Sequence, residues 1–169
     1  EIYNSYPSIE NSKWDSTTYI DQKNKFQKTK FEEGSLMQNV FNELNSTEFL
    51  NWLQNLTEFE EEILGDSDLF GGGLHQSTNG AFLNVHIDYN IHPKTQYHRR
   101  LNVLVYMNKN WKDEYEGHLE LWDLSNDNKI LLSKCAPTFN RCVIFETNEI
   151  SFHGHPKPLK TPKEINRKS

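Results

Sequence analysis

Residues 1–34 are polar and without rhythm: apolar side chains are scattered among Asn, Ser and Lys, and no element is predicted there. From Ser35 the pattern becomes helical. Leu36, Val40, Phe41 and Leu44 recur at spacings of three and four, as one face of a helix requires. Asn45 and Ser46 interrupt that face and can cap a second helix, whose buried stripe is predicted to be Phe49, Leu50, Leu53 and Leu56. The acidic run Glu58, Glu60, Glu61 and Glu62 reads as a solvated face, and Gly71-Gly72-Gly73 as a flexible loop. After Gly80 the period falls to two. Leu83, Val85 and Ile87 alternate with Phe82, Asn84, His86 and Asp88. Leu101, Val103, Val105 and Met107 make the next apolar face, followed by Leu119 and Leu121, by Ile130 and Leu132, and by Cys142 with Ile144 or Val143 with Phe145.

Helices first and short strands second describe an α+β chain, and the turns between the strands predict an antiparallel sandwich or barrel. No crossover helices separate the strands, which argues against a parallel doubly wound sheet. Residues 1–169 show no internal repeat and no linker. They are read as a single domain, with a helical part over about 1–70 and a strand-rich part over about 74–169.

Composition narrows the class. With 169 residues, 35% hydrophobic, and with ten Phe, seven Tyr and four Trp, the chain has the apolar surface to offset its ordering entropy. The net charge is −6, and the basic residues form no stripe beyond the short His98-Arg99-Arg100 run, so nucleic acid is not an expected partner. No stretch approaches the ~18–20 apolar residues of a membrane span, and no secretory segment is visible, which makes the cytoplasm the default location. Cys135 and Cys142 are too few for a disulfide framework and read as reduced, small apolar fillers. Nothing in the pattern speaks to oligomeric state.

The candidate chemistry lies on the even-numbered face of the first strand. Side chains two apart on a strand point the same way, so His86 and Asp88 project together. An imidazole and a carboxylate so placed are two members of a facial two-histidine, one-carboxylate site, which leaves open positions on a non-haem Fe(II). The signal is weak by itself. Seven histidines and 24 acidic residues make about one His-x-acid match expected by chance, and a second, His118-Leu119-Glu120, is present.

Order along the chain strengthens the first match. His86-Ile87-Asp88 is followed by Ser151-Phe152-His153-Gly154-His155-Pro156 and then by Arg167-Lys168-Ser169. With Gly71 to His75, Phe82 to Asp88, Leu101 to Asn108, Trp111, Gly117 to Trp122, Pro137 to Arg141 and Phe145 to Thr147, this order resembles the prolyl 4-hydroxylase-like branch of the 2-oxoglutarate/Fe(II) oxygenases. The resemblance runs from about Gly71 to Ser169.

That resemblance implies a double-stranded β-helix, a jelly-roll or cupin-like core, with the N-terminal helices packed outside. It implies Fe(II) on His86, Asp88 and His153, and Arg167 pairing with the distal carboxylate of 2-oxoglutarate through its planar fork. It implies that Tyr106 donates to the same carboxylate; Asn102, Leu104 and Tyr106 fall opposite the apolar Val103, Val105 and Met107. The implied reaction is hydroxylation of an unactivated C–H bond with O2, releasing succinate and CO2, with ascorbate as an accessory reductant. The implied substrate is a prolyl residue in a peptide or protein, with Trp111, Tyr115 or Tyr97 as flat surfaces for its ring. Asp88 itself favours hydroxylation, because related halogenases give up this carboxylate to admit halide. Two departures stand out: His118 occupies a place where the family often has a second glycine, and the arginine-bearing segment stops at Ser169, so the C-terminal end is read as cut short.

Alternatives remain at this level. His155 shares strand parity with His153 and is its rival as ligand. His118 and Glu120 are a second ligand pair. His75, His92 and His98 read as surface or loop residues, Trp111 and Trp122 as packing, and Arg141 as either a substrate contact or a solvated strand end. Other functions compatible with the pattern are a hydroxylase of a free amino acid or other small metabolite, and a non-catalytic, cupin-like metal-binding module.

Overall fold

The computed structural model describes residues 1–169 except 11, 20, 21, 126 and 127. It divides into two compact units, one of residues 1–14 with 28–74 and one of residues 15–27 with 75–169.

The first unit holds both helices. α1 spans Leu36–Leu44 and α2 spans Thr47–Thr57. Each starts where a serine hydroxyl replaces the missing intrahelical acceptor: Ser35 accepts from the Gln38 amide and Ser46 from the Phe49 amide, both at 3.2 Å. The α1 face is rotated from the expected one, because Met37 is its buried residue and shares a helical row with Phe41 and Leu44. Phe41 stacks on Phe31 at 5.0 Å. In α2 Leu53 is buried, whereas Leu56, expected in the stripe, is 55% exposed.

The second unit is built of strands, and it begins earlier than the hydrophobic pattern indicates. Within the stretch read as irregular, β1 (Asp15–Tyr19) and β2 (Gln22–Lys28) pair antiparallel, with Thr17 opposite Lys25; residues 11, 20 and 21 of that stretch lie outside the described residues. Their residues are mostly polar, so they carry no apolar alternation, and their pairing comes from neighbouring strands instead. β3 (Leu74–His86), β4 (Leu101–Tyr106), β5 (Leu119–Asp123), β6 (Ile130–Cys135), β7 (Arg141–Glu146), β8 (Phe152–His155) and β9 (Arg167–Lys168) follow. One sheet runs β1-β2-β3-β8-β5-β6, with β9 also on β3; β4 and β7 form a second, two-stranded sheet. Antiparallel strands in two sheets are compatible with a jelly roll. Ile130 and Leu132 of β6, expected on an apolar face, are 48% and 65% exposed, since β6 ends its sheet; Cys142, expected as a filler, is exposed too. Among the described residues no helix is long and apolar enough to cross a membrane.

One irregularity in β3 positions the site. Leu83 lies opposite His155 and His86 opposite His153, so three residues of β3 match two of β8. This β-bulge shifts the parity of the strand. Leu83, predicted on the face opposite His86, therefore shares a face with it, and the odd-numbered residues before the bulge join the even-numbered His86 after it. Gly154 lets the two strands meet this closely: a Cβ there would lie 2.7 Å from the Asn84 carbonyl oxygen and 2.8 Å from that of Leu83.

Candidate metal centre and anion pocket

The bulged end of β3 and the middle of β8 bring three side chains together. His86 Nε2 lies 3.4 Å from Asp88 Oδ1, and His153 Nε2 lies 3.5 Å from Asp88 Oδ2. One ligand atom from each of the three falls within 4.8 Å of the others. Both rings are oriented from behind: His86 Nδ1 is 2.8 Å from the Asn84 carbonyl oxygen and His153 Nδ1 is 2.9 Å from that of Ser151. A carbonyl only accepts, so each Nδ1 carries the proton, and in the neutral ring each Nε2 presents a lone pair. Two lone pairs and a carboxylate facing one another need a cation between them, either a proton or a metal. Two nitrogens and one oxygen on one side of a centre suit a non-haem Fe(II). The Phe145 ring packs edge-on against His153 at 4.9 Å and fixes its other side.

Asp88 is held from outside as well. Asn102 on β4 donates its Nδ2–H to Asp88 Oδ2 at 2.7 Å, and the Arg99 guanidinium lies 3.5 Å from the same oxygen while donating to Asn102 Oδ1. Arg99 in turn lies over the Tyr89 ring at 4.8 Å. Burial pushes the Asp88 carboxyl up, but the hydrogen bonds from His153 and His86, the Arg99 charge and the Asn102 amide outweigh it and hold the group far below the usual carboxylate range. Burial lowers His86, yet its bonds to Asp88 and to the Asn84 carbonyl leave it raised above 6.5. Asn102→Ala is expected to weaken metal binding by about 10–100-fold, the usual cost of losing a partner that orients a ligand. Metal titration of the wild type and the variant measures it, and equal affinities would free Asn102 of this role.

A second constellation lies on the same unit. Arg167 on β9, opposite Ser77 of β3, donates Nε–H to the Gly117 carbonyl at 2.8 Å and Nη2–H to the Tyr106 hydroxyl oxygen at 3.2 Å. Arg167 and Tyr106 are buried, and among the described residues no carboxylate forms an ion pair with this guanidinium. A guanidinium has five N–H donors, so donors remain free for a ligand. A buried cation is costly without a counter-charge, so the chemistry of this position suits an anion. Burial raises the Tyr106 hydroxyl, which therefore stays protonated and able to donate. Gly117 shapes the pocket: its φ is +72°, and a Cβ there would clash with Leu159 Cδ2 and lie 3.1 Å from Arg167 Cδ. Gly117→Ala is expected to cost about 1–3 kcal/mol of stability through left-handed strain and overpacking, and to displace Arg167. Thermal unfolding together with anion affinity checks this.

The remaining predicted residues are distributed differently. His155 does not join the metal cluster; it lies level with Leu83, and burial and the Arg167 charge hold its pKa well below 6.5. Glu120 is level with Gly154, whereas its neighbour Leu121 is level with His153, so Glu120 faces away from the centre and accepts from Trp122 Nε1 at 3.2 Å. His118 bonds Asp113 at 3.1 Å. His75, expected at the surface or in a loop, stands in β3, and burial together with the Lys25, Arg167 and Arg99 charges pushes its pKa down to about 3. Tyr115 is buried and Tyr97 is 60% exposed, so only the latter of the two offers a free face. Trp111 donates to the Glu116 carbonyl, and Arg141 to that of Ala136. Sequence reasoning passed over Asn102, Arg99 and Lys25 as functional residues. The parity shared by Asn102 and Tyr106 was a usable signal for the first; for the other two there was none, because their roles depend on a hairpin and on a polar strand.

Residues 72–169 match the model of the 2OG-Fe(II) oxygenase superfamily. No curated protein sequence matches the chain. Among solved structures it is similar to a prolyl hydroxylase from Trichoplax adhaerens in complex with a hypoxia inducible factor oxygen degradation domain peptide fragment, at 25% identity over 56% of this chain and 38% of that one, with a TM-score of 0.41. It is also similar to a prolyl 4-hydroxylase from Phytophthora capsici (22% identity, 76% and 39% covered, TM-score 0.48). A third is a Pseudomonas putida prolyl-4-hydroxylase (17% identity, 72% and 59% covered, TM-score 0.40). The chain spans less than two thirds of each of these proteins. With the family model covering more than half of its length, the chain belongs to the 2-oxoglutarate/Fe(II)-dependent oxygenase superfamily.

Proposed function

We propose that the protein is a dioxygenase that hydroxylates an unactivated C–H bond, with Fe(II) held by His86, Asp88 and His153 and the distal carboxylate of 2-oxoglutarate held by Arg167 and Tyr106. The observation that carries this reading is the convergence of two Nε2 lone pairs and a carboxylate in the same unit as a buried arginine that has no carboxylate partner among the described residues. When bound, iron and 2-oxoglutarate supply the oxidising power to insert one atom of O2 into the substrate, leaving succinate and CO2.

The chain's own residues do the rest. The carbonyls of Asn84 and Ser151 keep Nε2 of both histidines free to bind metal. Asn102 holds one oxygen of Asp88 and so fixes the carboxylate's rotation. Arg167 and Tyr106 set the distance and angle at which a dicarboxylic acid enters, because a fork and a hydroxyl define a direction and not merely a charge. Phe145 packs edge-on against the His153 ring and restrains its orientation.

The substrate in this reading is a prolyl residue of a peptide or protein. Resemblance in the motifs supports it, and so does the hairpin around the Ile91–His98 bridge, which exposes Tyr97 and carries Arg99 beside Asp88. The test is incubation of the iron-loaded protein with 2-oxoglutarate, ascorbate and O2 against proline-containing peptides, free proline and other amino acids. Succinate release coupled to the gain of one oxygen atom by a peptide is the expected result. Oxygen gain by a free amino acid with every peptide untouched would sink the peptide substrate and keep the oxygenase, while absence of 2-oxoglutarate turnover with any of them points to a binding module.

A further inference from the structure

β2 brings a second cation to the pocket of Arg167. In the large sheet β2 lies next to β3, and β9 pairs with β3 as well. Asn24 donates to the Asn79 carbonyl at 3.1 Å, and a Cβ on Gly73 would touch the Lys28 carbonyl, so β2 descends along β3 as β3 ascends. Lys25, one residue past Asn24, thereby comes alongside the Ser77–Thr78 stretch, and Ser77 is opposite Arg167. Three adjacent strands thus bring Lys25 into the neighbourhood of Ser77 and Arg167. The charges agree with this alignment: Lys25 acts on His75, His155 and His86, and is itself acted on by Arg167, Arg99 and Asp88. Burial and then the Arg167 charge lower the Lys25 ammonium from its ordinary value. Asp88 acts on it in the opposite sense, and among the described residues Lys25 has no ion-pair partner.

Two cations converging where one acid is already committed to a metal cluster are unfavourable for folding by themselves. Such an arrangement is retained where a ligand brings the missing negative charge. The geometry points to Lys25 as a second cation of the 2-oxoglutarate pocket, acting through space on the distal carboxylate that Arg167 binds and selecting a dicarboxylic over a monocarboxylic 2-oxo acid. The inference rests on the proposed cosubstrate and adds a determinant of specificity contributed by a hairpin that precedes the helices in sequence. A unit charge roughly 10 Å from a carboxylate, at an effective dielectric of about 20, changes affinity on the order of tenfold.

The test titrates 2-oxoglutarate, and separately 2-oxopentanoate, which has a methyl group in place of the distal carboxylate, into the Mn(II)-loaded full chain without O2. Calorimetry reads the affinities. Lys25→Met and Lys25→Gln are expected to weaken 2-oxoglutarate binding about tenfold, to leave 2-oxopentanoate and Mn(II) binding unchanged, and not to lower the melting temperature of the metal-free protein. Lys25→Arg should restore the affinity. Unchanged 2-oxoglutarate binding in both neutral variants overturns the inference, as does equal loss for the two acids with a lowered melting temperature, the mark of a structural lysine. If the wild type itself binds no 2-oxoglutarate, the cosubstrate reading fails and the inference with it.

Discussion

Alanine at His86, Asp88 or His153 is expected to abolish iron-dependent turnover, lowering it by at least about a thousandfold, equivalent to about 4 kcal/mol of lost transition-state stabilisation. The three contribute in different ways. His86 and His153 are pre-oriented by backbone carbonyls, so either alanine removes a ligand without disturbing the strand that bears it. Asp88 is also the partner of Asn102 and Arg99, so its removal leaves an amide and a guanidinium without their acceptor. Metal stoichiometry after loading, measured beside turnover, separates lost binding from misplacement. His155→Ala is the control, since His155 stands outside the cluster; full activity in His153→Ala with a dead His155→Ala would reverse the ligand assignment. The same geometry sets a pH dependence. In the metal-free protein His86 is raised above 6.5, and a metal must displace its proton. Metal affinity should therefore climb as pH rises through that value and level off above it. The effect on folding has the opposite sign: a raised pKa contributes stability at pH below 6.5 that is lost as pH rises through the folded value.

Arg167→Ala should weaken 2-oxoglutarate binding by about 2–5 kcal/mol, the cost of leaving the other charge of a buried pair uncompensated, while Mn(II) binding stays close to wild type. Arg167→Lys should fall between the two, because it keeps the charge but loses the fork that reaches the Gly117 carbonyl and the Tyr106 hydroxyl together. Tyr106→Phe removes one hydrogen bond to a charged acceptor and should cost about 1–3 kcal/mol. Arg167 and Tyr106 are bonded to each other at 3.2 Å, so the double variant should lose less than the two single losses together. Anaerobic titration of 2-oxoglutarate into the Mn(II)-loaded variants measures all three. Equal affinity in wild type and Arg167→Ala would remove this arginine from the cosubstrate pocket.

How much of this could be read along the chain differed from element to element. The helix starts were local: a serine followed by an apolar row of helical period sufficed, because a cap depends on residues three apart. β4, β5 and β7 were legible for a similar reason, since their apolar residues alternate along each strand. The order His86, Asp88, His153, Arg167 was also visible, and Tyr106 could be placed by parity. The sequence by itself therefore determined the class of chemistry, because ligand type and order are properties of the residues.

Tertiary structure decided what depends on pairing. The Phe82 to Asp88 alternation assigns Leu83 to the face opposite His86, but the bulge against β8 brings both to one face. A bulge costs no apolar residue and leaves no periodic trace, so only the partner strand reveals it. That His153 and not His155 stands level with His86, and that Glu120 turns to the other face, are likewise matters of register. β1 and β2 were invisible because their polar residues gain their strand state from pairing, β1 with β2 and β2 with β3, and not from their own side chains. Lys25 enters the Arg167 pocket only through that sheet. A charge acts through space, over a distance set by the strands lying between, and nothing in its position along the chain specifies which other charges it will meet.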